Sequence, residues 1–146
     1  MASNNGELLE GKLKATLKTL QAKTKSFGHR FADTKAAKYG ILPPTPGDYM
    51  LLVPGKAILI ECKSTNANSG LVAMAHKGEV GKRQIAHQRL WNRSGNPSLY
   101  LWMNIKRDII EWHSGANVVE KIDKPLFVGP SSQMLESLKV IIGEMG

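Results

Sequence analysis

The sequence holds a single cysteine, Cys62, among its 146 residues. That excludes an internal disulfide and the paired-cysteine spacing of a zinc finger, and it fits a reducing, intracellular (cytoplasmic) compartment. No apolar run approaches the roughly 20 residues that a membrane-spanning helix needs. Leu51 to Val53 and Ala57 to Ile60 are of strand length. The opening MASNNGELLEGK has no apolar stretch of the signal-peptide kind. No membrane partner is therefore expected. The histidines (His29, His76, His87 and His113) form no closely spaced pair, which argues against a histidine-held zinc ion. Gly78-Glu79-Val80-Gly81-Lys82 lacks the Gly-Lys-Ser/Thr ending of a phosphate-binding loop.

Acidic residues are the scarce charge: 12 Asp plus Glu stand against 20 Lys plus Arg, a net of +8. The excess is uneven. Lys12, Lys14, Lys18, Lys23, Lys25, Arg30, Lys35 and Lys38 share their stretch with one acid, Asp33. A solvated, lysine-coated helix face would give this clustering. So would a polyanionic partner, because neutralising phosphates and releasing their counterions dominates affinity for nucleic acids. An anionic membrane is a poorer match, since the opposite helix face lacks bulky aromatic residues.

The length and the 42% hydrophobic content suit one domain, residues 1–146, with a real core. Leu9, Leu13, Thr16, Leu17 and Leu20 form a helical stripe, predicting a helix over 6–24. Residues 27–34 read as a short strand or extended piece. Residues 35–47, with Pro43, Pro44, Pro46 and Gly47, read as a loop. Residues 48–53 and 56–64 read as a hairpin turning at Pro54-Gly55. Residues 66–81 read as a mobile loop, alone or with a short helix in it. A helix is expected over 82–93 with Ile85, Leu90 and Trp91 buried, strands over 98–105 and 108–113, and a closing helix over 131–145. This order predicts an α/β fold, a mixed central sheet flanked by helices.

The chemistry lies in the hairpin. Glu61 and Lys63 are two apart on one strand, so they share a face. Their strand is otherwise apolar, which makes a charged pair there costly unless it is paired or holds a metal. Asp48 opens the preceding strand and can be brought beside Glu61. Two carboxylates meeting there make a hard oxygen site suited to Mg²⁺ or Mn²⁺. A surface Glu-Lys pair on an edge strand, with an unrelated turn aspartate, is the bland alternative. Cys62 lies between Glu61 and Lys63, so its side chain faces the other way, towards the core. Trp91, Tyr100, Trp102 and Trp112 read as packing anchors.

The segment TPGDYMLLVPGKAILIECKST resembles the core of the PD-(D/E)xK nuclease superfamily. Within it the chain is similar to small Holliday junction resolvases of the archaeal and RecU-like kinds and to phage versions of them. Gly6-x-x-x-Glu10-x-x-Leu13 resembles the first-helix motif, Arg83-Gln84-Ile85-Ala86-His87 the RecU-like Gln-Ile-x-His signature, and His29 to Thr34 a segment preceding the metal site. The likeness covers about residues 6–105. Gly47 stands between the motif's proline and Asp48, a departure from the pattern.

The resemblance implies a restriction-endonuclease-like fold. It implies that Asp48, Glu61 and the Cys62 carbonyl hold Mg²⁺ (or Mn²⁺), that Glu10 completes the site, and that Lys63 acts on the water and phosphate. Gln84 would sit near the site, although a solvated helix face explains it equally. Lys12, Lys14, Lys18, Lys23, Lys25, Arg30, Lys35, Lys82, Arg83 and His87 would contact DNA. The function implied is cleavage of four-way or other branched DNA in recombination or repair, by a homodimer whose two-fold axis serves two strands. A restriction-type, repair or single-strand-trimming nuclease would use the same core, and a non-catalytic DNA-binding module would keep only the fold.

Overall fold

Leu9, Leu13, Leu17 and Leu20 recur at helical spacing, and all four are buried along one side of the first helix, α1 (Ser3–Lys23). The computed structural model describes residues 3–31, 48–66, 70–71 and 82–145, with side chains from Gly6 onward in α1 and from Ile85 onward in the second helix. After α1 come strands β1 (Phe27–Arg30), β2 (Tyr49–Val53) and β3 (Lys56–Thr65), then helix α2 (Lys82–Arg93). β4 (Ser98–Asn104), β5 (Ile109–Ser114), a short helix α3 (Gly115–Val119), β6 (Phe127–Pro130) and α4 (Met134–Met145) follow.

The six strands lie side by side in chain order. All neighbours are antiparallel except β3 and β4, which run parallel. Parallel neighbours need a crossover connection, and α2 lies within it. The result is an α/β domain with a mixed six-stranded sheet flanked by helices.

Side-chain alternation divides the interior. Ile58, Ile60, Leu99, Leu101, Met103, Ile110 and Trp112 face α1 and α4 and form the main core with their leucines. Tyr100 and Trp102 face the other way, clustering with Leu71, Val118, Ile85 and Ile109. All seven residues of β4 are buried, as expected of a central strand covered on both faces. Each fully buried aliphatic side chain contributes roughly 1.5–3 kcal/mol through its removal from water.

Local chemistry sets the ends of the elements. Gly55 turns the β2–β3 hairpin with φ of 80°, a conformation open to glycine. Ser114 caps α3, its Oγ accepting from the Asn117 amide at 3.1 Å. Trp91 Nε1 donates to the Pro97 carbonyl at 2.9 Å and to that of Ala57 at 3.2 Å, tying α2 to β3 and to the start of β4. Trp112 Nε1 donates to Ser137 Oγ at 2.9 Å, anchoring α4 to β5.

Several sequence expectations shift. α2 spans the anticipated residues, but Leu90 is 60% exposed and Gln88 is fully buried. The helix turns the line through Ile85, Gln88 and Trp91 inward, and Leu90 falls off it. The strand expected over 27–34 covers Phe27–Arg30. The 35–47 loop, and most of the 66–81 loop, lie outside the described residues. Sequence patterning predicts neither α3 nor β6: α3 is a turn and a half long, too short to show periodicity, and β6 contains Gly129 and Pro130. Proline is tolerated there because β6 is an edge strand. The closing helix begins as a 3₁₀ turn over Ser131–Gln133 before α4 proper. No helix among the described residues is long and apolar enough to cross a membrane.

Gly115 permits the close approach of α3 to the sheet. A Cβ there would overlap Ser98 Oγ and lie 2.6 Å from Gln88 Oε1. Gly115→Ala is expected to destabilise the chain by about 1–3 kcal/mol, as overpacking does. Urea denaturation checks this: an unchanged midpoint would show that Ser98 and Gln88 move aside freely.

Candidate active site

The hairpin register builds the centre of the site. Tyr49 pairs with Ile60 in β3, so the preceding residue, Asp48, stands against Glu61. Main-chain bonds hold Asp48 on both sides: its amide donates to the Ile60 carbonyl at 3.1 Å, and its carbonyl accepts from the Phe31 amide at 2.9 Å. Its carboxylate Oδ2 accepts from the Cys62 amide at 2.8 Å. Asp48 is thus stitched between the end of β1 and the middle of β3 before it acts on anything.

Strand alternation places Glu61 and Lys63 on the face opposite α1. Glu61 is only 2% exposed. Burial, then the charge of Asp48, pushes its carboxyl up to about 8, although Lys63 pulls the other way. Asp48 is also raised, chiefly by burial and further by the charge of Glu10, with the Cys62 amide, Lys63 and Arg30 opposing. Two carboxylates that resist ionising together are suited to a divalent cation, whose charge offsets both. Cys62 turns its side chain into the main core, as anticipated, and burial holds its thiol protonated.

Glu10 approaches from α1. Its Oε1 accepts from Arg30 Nε at 3.1 Å, and the pair is partly exposed. Glu10 acts on Asp48 by its charge, while its carboxylate is engaged by Arg30. Among the described residues no three His, Cys, Asp or Glu side chains converge closely enough to hold a metal ion. The available donors are therefore the two facing carboxylates, with the Cys62 carbonyl beside them. That set suits Mg²⁺, which keeps several waters and uses one or two carboxylates.

Lys14, Lys18, Lys23, Lys25 and Arg30 are exposed and Lys12 is half-buried. Lys14, Lys18 and Arg30 rim a cleft of about 300 Å³ between α1 and the β1–β2 edge, floored by Leu17 and Tyr49. His87 is half-buried on α2. Lys82, Arg83 and Gln84 belong to α2, but their side chains, like all of Lys35, lie outside the described residues.

The site face also holds polar groups that sequence patterning assigns to packing or leaves without a role. Tyr100 pairs with Glu61 in the parallel register and with His113 in the antiparallel one. Tyr100 and His113 are fully buried, and His113 Nε2 donates to Glu111 Oε1 at 2.7 Å. The signal in the sequence is alternation: Tyr100 and Trp102, and Glu111 and His113, sit two apart on strands facing Glu61 and Lys63. Strand order is needed to use it.

No model of a known protein family matches the chain, and no curated protein matches it at a significant level. The fold and the site together define an α/β domain with a facing carboxylate pair, Glu61 buried and Asp48 half-buried, and a lysine on one sheet face.

The raised carboxyls make metal-free stability depend on pH. Glu61 is protonated in the fold up to about pH 8 but only to about 4.5 when exposed, so its contribution is full below 4.5 and lost as pH rises through 8. In EDTA, stability is expected to fall by roughly 2–4 kcal/mol from pH 5 to pH 9, and Glu61→Gln should remove most of that fall. Urea titrations at the two pH values measure it. Equal slopes in both proteins would mean that Glu61 ionises freely.

Proposed function

We propose that this chain is a divalent-metal-dependent endonuclease acting on DNA, with a restriction-endonuclease-like fold of the PD-(D/E)xK class. The observation that carries the reading is the facing of Asp48 and Glu61 on adjacent strands, both desolvated, with Lys63 two residues along on the same face. A desolvated carboxylate pair of this kind, with Glu61 buried and Asp48 half-buried, destabilises the metal-free fold, so a structural role alone does not account for it.

Asp48, Glu61 and the Cys62 carbonyl would hold Mg²⁺ or Mn²⁺. When bound, such an ion polarises the scissile phosphate and lowers the pKa of water. The Cys62 amide keeps the Asp48 carboxylate oriented. Lys63 places a cation on the same face, where it offsets the negative charge that develops on the phosphate as water adds and the leaving oxygen departs. Arg30, tethered by Glu10, stands beside the cleft and continues the basic surface of α1 towards the carboxylates. That surface is suited to DNA backbone contacts, which position the substrate without reading its sequence.

Branched or four-way DNA is the substrate we favour, with a two-fold dimer delivering one site to each of two strands. The support for this narrower reading is the motif resemblance of Glu10 and of the Gln84 to His87 stretch. The chain would then act inside the cell, where recombination intermediates form.

Cleavage of a synthetic four-way junction, linear duplex and single strand, in Mg²⁺ and in EDTA, tests the proposal. Symmetric nicks on the junction, lost in EDTA and reduced at least about 100-fold by Lys63→Ala, are expected. Cutting of linear or single-stranded DNA instead would retain the nuclease and remove the junction. Tight binding with no metal-dependent cutting of any substrate would overturn the enzyme.

The α1 surface gives a separate expectation. Lys14→Ala with Lys18→Ala should lower the slope of log affinity against log salt by about 1.8 for duplex DNA, roughly 0.9 for each phosphate that is no longer neutralised. Fluorescence anisotropy in EDTA reads it. An unchanged slope would place the DNA elsewhere.

A further inference from the structure

Polar atoms are concentrated in the interior behind Glu61. Tyr100 Oη, His113 Nδ1, Trp102 Nε1 and both amide atoms of Gln88 are buried and have no hydrogen-bond partner among the described residues. Each such orphan costs about 1–3 kcal/mol if left dry. Scattered orphans would be ordinary imperfections, but these lie together. Glu61, Tyr100 and His113 form one continuous row across β3, β4 and β5. Trp102 and Glu111 stand in the next row, on the same face. Gln88 reaches the face from α2, fully buried.

The row has direction. Glu111 Oε1 holds His113 by Nε2 at 2.7 Å, while Nδ1 on the other side of the ring is buried with no partner among the described residues. Tyr100 Oη can donate and accept. It is close enough to the carboxylates that, after burial, the charges of Glu61 and Asp48 push the phenol further up. Tyr100 therefore stands between a carboxylate that is suited to a metal and a histidine fixed by a second carboxylate.

We infer that Tyr100 and His113 are positioning residues for Glu61, acting through ordered water buried between the phenol, the imidazole and the carboxylate. Buried water commonly satisfies clusters of this kind, making about three hydrogen bonds each. The network would fix the Glu61 carboxylate in the rotamer that a divalent cation needs, as outer hydrogen-bond partners of metal ligands do. The inference rests on the metal-binding reading above and extends it to side chains that do not touch the ion. It explains why tyrosine and histidine occupy positions where phenylalanine and leucine would pack without orphaned atoms.

Mn²⁺ titration of the full chain by calorimetry, on wild type, Tyr100→Phe and His113→Gln, tests this, with circular dichroism establishing that each variant is folded. Tyr100→Phe removes one oxygen and keeps the ring. It is expected to bind Mn²⁺ about tenfold more weakly than wild type, and His113→Gln to be weakened in the same direction. On a cleaved substrate the loss should fall on kcat with KM held. A folded Tyr100→Phe that binds Mn²⁺ as wild type does overturns the inference and leaves the metal site standing. A wild type that binds no Mn²⁺ removes the metal reading and this inference with it.

Discussion

The hydrogen bond from the Cys62 amide to the Asp48 carboxylate is the contact on which the site depends. It draws a charged group into the interior at the point where β1, β2 and β3 meet. It also sets Asp48 against Glu61, whose burial then becomes an electrostatic problem rather than a packing one. Main-chain bonds from Phe31 and to Ile60 fix the Asp48 backbone between β1 and β3. Both carboxyls are raised, chiefly by burial and then by a neighbouring carboxylate, Glu10 for Asp48 and Asp48 for Glu61.

The sheet separates two kinds of interior. The α1 and α4 face is a conventional apolar core, and it supplies the rigidity. The α2 and α3 face mixes aromatic rings with Glu61, Gln88, Glu111 and His113 and contains the orphaned polar atoms. Buried polar atoms cost stability on that face, and the apolar core of the other face offsets the cost.

Much of the fold is legible in the sequence. The α1 stripe, the hairpin with its Pro54-Gly55 turn, the extent of α2 and the apolar β4 each follow from local periodicity or turn chemistry. The elements that escape, α3 and β6, are five and four residues long. Their existence depends on partners already in place: the Ser114 cap for α3 and the edge of β5 for β6. Leu90 departs from expectation for a related reason, since Leu is more apolar than Gln but the rotation of α2 about its axis follows from contacts along its whole length.

The sequence by itself determined the pairing of Glu61 with Lys63 on one face, the opposite orientation of Cys62 and the basic surface of α1. These depend only on the two-residue period of a strand and on composition. The tertiary structure decided that Glu10 engages Arg30, that Gln88 rather than Leu90 is buried, and that Tyr100 and His113 line up behind Glu61. Those relations join residues far apart in the chain, 20 positions in the case of Glu10 and Arg30. Strand order and helix rotation create them, and no local pattern encodes either.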